Sequence, residues 1–285
     1  MINLEILVNG ILLGGLYGLM ASGFSLIYGV GKVVNLAYGH IFMVAVYMMY
    51  LMTVSWKLNF LVAFPLTLLI TVFLGIGVQY LLERVALSHL RVLFLSVGLA
   101  TILENLLLAY FGGVYRFVPS PIPGLIDIGG IRLQTYWVIT FASTLLIYVA
   151  LSAIIASTYL GKSLRAVSQN EEASWLMGID VRKIKILAGG IASALASIAA
   201  TFILPIYPIC PHMGWTYLLF GFAIVVLGGM GSILGTLMGG VILGMCELLF
   251  GYYISSGLRG ILFFLTIVIV ISIRPEGLLG KRKVK

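Results

Sequence analysis

Charge is scarce in this sequence. Asp, Glu, Lys and Arg together make up 9% of the 285 residues, whereas 61% of the residues are hydrophobic. In a typical soluble domain about a quarter of the residues are charged. The shortage excludes a soluble enzyme, a disordered chain and a nucleic-acid-binding module. The net charge of +8 comes from basic residues near the ends of apolar segments and does not indicate a nucleic-acid partner.

Residues that build metal centres and catalytic sites are also few. The two cysteines, Cys210 and Cys246, are far apart and give neither a disulfide framework nor a paired-cysteine metal spacing. Cys210 and His212 form a Cys-x-His pair without further ligands, which is weak evidence for a metal. The sequence shows no paired carboxylates and no nucleophile–base signature. We therefore expect no catalysis, no metal site and no cofactor in this chain.

Long apolar runs take up most of the sequence. A spanning helix needs about 20 mostly apolar residues, and only helices and closed barrels cross a bilayer. The runs are continuous rather than alternating, which excludes barrel strands. The sequence predicts an all-α polytopic bundle, a single transmembrane domain over 1–285 with about eight or nine membrane segments. The segments lie at roughly 6–29, 36–54, 60–82, 92–112, 134–157, 184–204, 216–230, 232–251 and 259–273.

Three of these segments carry signs of irregular backbone. The seventh and eighth are short and are separated by Gly228-Gly229-Met230-Gly231-Ser232. They are two full spans or a broken, re-entrant pair, because broken backbone is tolerated where it is buried in protein or lines a cavity. The second segment opens with polar and small residues and is also predicted to be partly irregular. These residues are Asn35, Tyr38, Gly39 and His40.

The distribution of Lys and Arg predicts the orientation. If the long polar loop at 158–183 faces the cytoplasm, only four of the 17 basic residues lie outside, and the other 13 lie inside. The four are Lys57, Arg116, Arg132 and Arg259. We therefore expect an external N-terminus and a cytoplasmic C-terminus. The first basic residue is Lys32, so a cleavable signal peptide is not expected.

Small residues recur at helical spacing in two places. One stripe consists of Gly10, Gly14, Gly18 and Ser22, and the other of Gly231, Gly235 and Gly239. Small residues four positions apart let helix backbones approach closely. The stripes are interpreted as close packing within the chain or, alternatively, as a subunit interface.

The loop at 158–183 contains the most informative polar stretch. Apolar positions alternate with Arg165, Gln169, Glu171 and Glu172 at roughly helical spacing. Ser168 or Asn170 is a candidate N-cap, and Gly178 is a candidate C-terminal cap. The pattern predicts a short helix parallel to the membrane. Such a helix either lies passively in the headgroup region or docks a cytoplasmic partner.

Several motifs resemble those of one transporter family. Glu172-Ala173-Ser174, followed by three residues and Gly178, resembles the loop with which permeases of ABC importers contact their ATPase. Three further stretches resemble the permeases of branched-chain amino-acid importers, so that the resemblance covers the whole chain. They are GLYGLMASGFSLIYGVGKVVNLAYGH, FGFAIVVLGGMGSILGTLMGGVILGMCE and the ending RPEGLLG. The third motif position is Ser instead of Ala, and the wider family's Ile-x-Leu-Pro tail is missing.

The resemblance implies a division of labour among subunits in a prokaryotic plasma (inner) membrane. Two similar or identical permease subunits would form the path, two cytoplasmic ATPase subunits would hold ATP and Mg, and an external binding protein would deliver the ligand. The coupling residues implied for this chain lie in the 158–183 loop. They are Arg165, Glu171, Glu172, Ala173 and Gly178. Branched-chain or other apolar amino acids are the implied substrates, with urea or short amides as an alternative.

Two carboxylates and the glycine-rich break are candidates for the translocation path. An ionised carboxylate inside hydrocarbon is costly, so Glu104 and Glu247 should face the protein interior or a wet path. They are polar lining or, alternatively, form interhelical hydrogen bonds with residues such as Asn105, Gln79 or Ser96. Exposed backbone at a helix break can bind polar ligands, which adds Gly228, Gly229 and Gly231. An ion-coupled secondary transporter would instead use the two glutamates as proton or sodium sites.

Overall fold

The computed structural model of the chain describes residues 4–85, 88–128, 131–254, 259–273 and 277–279. Seven helices within these ranges are long and apolar enough to cross a membrane. They are α1 Leu4–Gly31, α2 Tyr38–Tyr50 with its π-helical extension Leu51–Ser55, α3 Phe60–Arg84, α4 His89–Phe111, α5 Thr135–Ser157, α8 Val181–Ile203 and α10 Ile233–Tyr253. The predicted all-α polytopic bundle is therefore confirmed.

The remaining elements are shorter. Two apolar helices complete the set of nine predicted segments, and two further helices form in the long polar loop. These are α9 Met213–Gly228, α11 Arg259–Ile273, α6 Tyr159–Gln169 and α7 Glu171–Leu176. The sequence did not predict a hairpin of two antiparallel strands, β1 Leu125–Ile128 and β2 Ile131–Gln134. We call the end of the bundle with this hairpin the hairpin end, and the end with α6 and α7 the loop end, because α5 runs from one to the other.

The glycine-rich break is a turn between two separate helices. Helix α9 ends at Gly228 and α10 begins at Ile233, with the Ser232 hydroxyl accepting a hydrogen bond from the backbone N–H of Gly235 at 3.1 Å. Gly229 and Gly231 both have positive φ angles, +102° and +88°, which glycine adopts without strain. With 16 residues, α9 is about 24 Å long, less than the thickness of a typical hydrocarbon core.

The second segment opens irregularly, as predicted. Asn35 is 4% exposed although it precedes α2, and its side-chain amide donates to Gln79 Oε1 of α3 at 3.4 Å. The backbone N–H of Leu36 donates to the Ser96 hydroxyl of α4 at 3.2 Å. Side chains of α3 and α4 therefore satisfy backbone and amide groups that lie inside the bundle before α2 begins.

Helix α1 lies at the centre of the bundle and packs tightly on α10. A Cβ atom on Gly14 would lie 2.5 Å from the Cα atom of Val241, and one on Gly10 would lie 2.6 Å from the Cα atom of Met245. Gly244 of α10 faces Gly14 in the same way. The first glycine stripe is thus used for packing within the chain, because two helix backbones touch where side chains are missing.

The second stripe and a hydroxyl network extend this packing. Cβ atoms on Gly235 or Gly239 would collide with the backbone of α9. The Ser22 hydroxyl lies 2.6 Å from the hydroxyl of Tyr148 in α5 and 2.9 Å from that of Thr236 in α10. Buried hydrogen bonds therefore join α5 and α10 to α1, in addition to the close packing of the helices.

The hairpin end contains two proline-rich loops, 112–124 after α4 and 204–212 after α8, and they contact each other. The backbones of Arg116 and Ile209 exchange two hydrogen bonds of 3.0 and 2.9 Å. The Arg116 guanidinium donates to the Tyr50 hydroxyl and to the Phe111 carbonyl, both at 2.9 Å.

The predicted orientation of the chain stays a prediction, and Arg274 and the basic residues of 281–285 lie outside the described residues.

A pair of identical substitutions tests the glycine packing. We expect Gly14→Ala to lower the free energy of unfolding by about 1–3 kcal/mol, because the new methyl group meets backbone that cannot move independently. Gly98→Ala is the control, since no atom lies within 4 Å of its Cβ position. It should be neutral or stabilising by up to about 1 kcal/mol. Thermal unfolding in detergent measures both, and equal melting temperatures would contradict the packing.

Candidate functional site

The polar loop between α5 and α8 forms two helices where the sequence predicted one. Asn170 has extended backbone angles, φ −154° and ψ 113°, so that α6 ends and α7 begins at this residue. Its side-chain oxygen accepts a hydrogen bond from the backbone N–H of Ala173 at 3.0 Å, which confirms Asn170 as the N-cap. Ser168, the alternative cap, instead donates to the Arg165 carbonyl at 2.8 Å.

Helix α6 is fixed to the bundle by its apolar side. Leu164 and Val167 are buried against α1 and α8, where they join Leu26, Val30 and Ile184. Arg165 lies on the exposed side, and its guanidinium reaches the Ala156 carbonyl at 3.4 Å. The loop is therefore attached to two spanning helices rather than floating in front of them.

Helix α7 is held against the start of α8. The Lys185 ammonium donates to Glu171 Oε2 at 2.7 Å, with Lys185 only 14% exposed. Asp180 caps α8 by accepting the backbone N–H of Lys183 at 3.1 Å, and this hydrogen bond lowers the pKa of the Asp180 carboxyl. Gly178 has a φ of +81°, so the predicted glycine cap takes the left-handed backbone that ends α7.

The exposed surface of α7 and the following residue is apolar. Trp175, Leu176 and Met177 are 69%, 76% and 83% exposed. The prediction of one continuous helix is wrong, because the break at Asn170 turns α7 away from α6. Leu176 and Met177 are therefore exposed, whereas Leu164 and Val167 are buried. The other residues predicted to couple to a partner are exposed too, namely Arg165, Glu172, Ala173 and Gly178, with Glu171 half-buried. We call Trp175, Leu176 and Met177 the apolar tip.

A second polar site lies within the membrane helices. Glu104 of α4 is 3.5 Å from His40 Nε2 of α2, and its other contacts come from the start of α9. His212 Nδ1 lies 2.6 Å from Glu104 Oε1, and the indole N–H of Trp215 donates to Glu104 Oε2 at 2.8 Å. We call Glu104, His40, His212 and Trp215 the glutamate cluster.

The partners expected for Glu104 from the sequence were wrong. Asn105 bonds to the Thr101 carbonyl of its own helix, and Ser96 and Gln79 bond to the segment before α2. His212 had been considered only with Cys210, and it instead contacts Glu104. The described residues contain no group of three or more His, Cys, Asp or Glu that could hold a metal ion.

Glu247 lies in a separate environment. It is 1% exposed on α10 and accepts a hydrogen bond from the Tyr207 hydroxyl at 3.3 Å. The Tyr17 hydroxyl of α1 donates to Tyr207 at 3.1 Å. Glu104 and Glu247 thus have different partners, and the structure does not bring them together as one site.

The glycine turn lies at the loop end. The backbone N–H of Gly231 donates to the Ser25 hydroxyl at 3.1 Å, and the cavity beside this contact is lined by Leu164, Arg165 and Ser168 of α6. The backbone N–H groups of Leu278 and Leu279 donate to the carbonyls of Leu227 and Gly228 at 2.8 and 3.0 Å. Gly228, Gly229 and Gly231 thereby lie near the 158–183 loop rather than near either glutamate.

The cap at Gly178 can be tested without any partner. Its Cβ position has no neighbour within 4 Å, so only the backbone angle opposes a side chain. We expect Gly178→Ala to cost about 1 kcal/mol and to speed amide hydrogen exchange in 171–179 about fivefold. Gly178→Asn should cost less, because Asn tolerates this conformation. Unchanged exchange in the Ala variant would contradict the required backbone angle.

Comparisons with known proteins agree over the whole chain. A family described as "Branched-chain amino acid transport system / permease component" matches residues 6–271. The branched-chain amino acid permease BraD of Pseudomonas aeruginosa is 28% identical over 302 residues, covering 99% of this chain and 97% of that protein. LivH of Escherichia coli is 27% identical over 300 residues with the same coverage.

A solved structure supports the fold alone. "PsaBC from Streptococcus pneumoniae in complex with Fab" superposes with a TM-score of 0.54 at 12% identity, covering 96% of this chain and 94% of that chain. The family match extends over nearly the full length, and all nine predicted apolar segments are helical. This multi-pass membrane protein therefore belongs to the family of branched-chain amino acid transport permeases.

Proposed function

We propose that this chain is one permease subunit of an ATP-driven importer in a prokaryotic inner membrane. It would translocate branched-chain or other apolar amino acids that an external binding protein delivers. A second permease subunit, similar or identical, would complete the path. Two cytoplasmic ATPase subunits would bind ATP and Mg, so that this chain needs no nucleotide site and no catalytic residue of its own.

The apolar tip is the observation that carries the proposal. Trp175, Leu176 and Met177 are more than two-thirds exposed on a helix that is itself fixed by a cap and an ion pair. An exposed apolar patch rimmed by polar residues is typical of a protein interface. A rigid helix of this kind can transmit a push or pull from a partner, because α6 and α7 are attached to α1 and α8.

The charged residues around the tip suit the rim of such an interface. Arg165 and Glu172 are exposed on either side of Asn170, and Ala173 leaves room for close approach. Rim charges set the register and the rate of association more than the affinity. We propose that these residues contact the ATPase subunits. The loop would then face the cytoplasm, with the N-terminus external and the C-terminus cytoplasmic.

Two other functions lead to different experimental results. A permease for urea or short amides would have the same architecture and a different substrate. A secondary transporter driven by protons or sodium would use Glu104 and Glu247 and would need no ATPase. The capped loop helix with its apolar tip favours the ATP-driven importer over the secondary transporter.

Reconstitution tests the function directly. The chain is co-expressed with its partner permease and ATPases, and leucine uptake into proteoliposomes is measured with the binding protein present. We expect uptake that requires ATP. Uptake driven by a proton or sodium gradient without ATPases would overturn the proposal. ATP-driven uptake of urea or amides, and not of leucine, would show that the proposed substrate class is wrong.

Substitutions in the apolar tip test the coupling role. We expect Trp175→Glu to weaken association with the ATPases by about 30-fold or more, because a charge replaces a large apolar contact at an interface. Gln169→Ala is the control, since Gln169 is exposed in the same loop and outside the tip. Co-purification of the ATPases and ATP-driven uptake are both measured. Equal association of the two variants would show that the tip is not the docking surface.

A further inference from the structure

The glutamate cluster lies near the hairpin end of the membrane helices. Glu104 is seven residues from the last residue of α4, Phe111, which is about 10 Å along the helix axis. Its distance from the first residue, His89, is about 22 Å by the same measure. The carboxylate is therefore located within the apolar span, nearer to the hairpin end than to the loop end.

The cluster is closed on one side and open on the other. His40 is 0% exposed and packs edge-on against Trp215, with ring centroids 4.8 Å apart. His212 is 69% exposed and Glu104 is 12% exposed. The Trp215 indole thus holds Glu104 Oε2 by a hydrogen bond, with His40 packed beside it, and the other oxygen is covered only by an imidazole at the protein surface.

This opening cannot face lipid acyl chains. Polar and ionisable groups at membrane depth are costly in hydrocarbon and face the bundle interior or a water-filled cavity. On a chain that forms the path together with a second permease subunit, the surface at His212 therefore faces the wet space between the subunits. The charge of the site also indicates what is attracted there, because no Lys or Arg among the described residues forms a salt bridge with Glu104, whose contacts are His40, His212 and Trp215.

We propose that Glu104 binds the ammonium group of the amino acid as it passes through the permease. His212 covers Glu104 Oε1 in the empty path and moves aside for the substrate, and Trp215 and His40 are positioning residues that fix the carboxylate. With neutral imidazoles, the cluster carries one negative charge, which matches a primary ammonium and repels a free carboxylate. This inference rests on the proposed function, because it takes an amino acid as the substrate.

Cysteine labelling tests the site without any transport. In the assembled importer carrying Cys210→Ser and Cys246→Ser, His212→Cys is treated from the hairpin end with small thiosulfonate reagents. We expect the ratio of the rate with the cationic ammonium reagent to the rate with the anionic sulfonate reagent to be about tenfold higher than for a free thiol in solution, because a negative site concentrates cations. Adding Glu104→Gln should lower this ratio to that of the free thiol. Absence of labelling, or a ratio equal to that of the free thiol before Glu104→Gln is added, would overturn the proposal.

Uptake measurements then test the role in transport. Glu104→Gln keeps the size of the side chain and an acceptor for Trp215, and we expect it to lower leucine uptake about tenfold or more. The yield of assembled complex should not change. Asn105→Leu is the matched control, since Asn105 is the next residue of α4 and bonds only to its own helix in the described part of the chain.

The outcomes separate the two proposals. ATP-driven leucine uptake that is the same in Glu104→Gln and in the unmodified importer would overturn the ammonium site and leave the importer intact. Loss of uptake together with loss of assembled complex would assign Glu104 a structural role and contradict the binding role. If the unmodified importer does not take up leucine with ATP, the proposed function as an amino-acid importer is wrong. The labelling result alone then decides whether Glu104 attracts cations.

Discussion

Direct contact between the backbones of α1 and α10 is the constraint on which the rest of the structure depends. Lipid tails are as apolar as leucine side chains, so the hydrophobic effect adds little to helix association inside a bilayer. Close packing and buried hydrogen bonds must therefore supply the free energy of helix association. Gly10 and Gly14 meet α10 at distances that leave no room for a methyl group, and Ser22 adds contacts to Tyr148 and Thr236.

This central pair determines where the functional groups can lie. Helix α9 packs on α10 through Gly235 and Gly239, and its two ends are therefore fixed in space. Trp215 in its first turn contacts Glu104, and Gly228 at its end adjoins the turn beside α6. One helix of 16 residues thus runs from the glutamate cluster to the glycine turn beside the 158–183 loop.

Local rules recovered much of the fold and part of the site. The helices appear as long apolar runs because no other structure satisfies the backbone in hydrocarbon. Asn170 and Gly178 were recognisable as caps because capping depends on a few neighbouring residues. The glycine stripes indicated close packing, although the sequence left open whether the partner was another helix or another subunit. The hairpin of β1 and β2 had no clear signal in a loop that is rich in proline.

The membrane class, the order of the apolar helices and the candidate caps follow from the amino-acid sequence alone, since they depend on composition and on contacts between near neighbours. Only the tertiary structure decided the partners of Glu104, because His40 and His212 are 64 and 108 positions away in the chain. It also decided that the apolar tip is exposed while Leu164 and Val167 are buried. Both outcomes depend on how helices are arranged around α1, and helical periodicity within one segment contains no information about that arrangement.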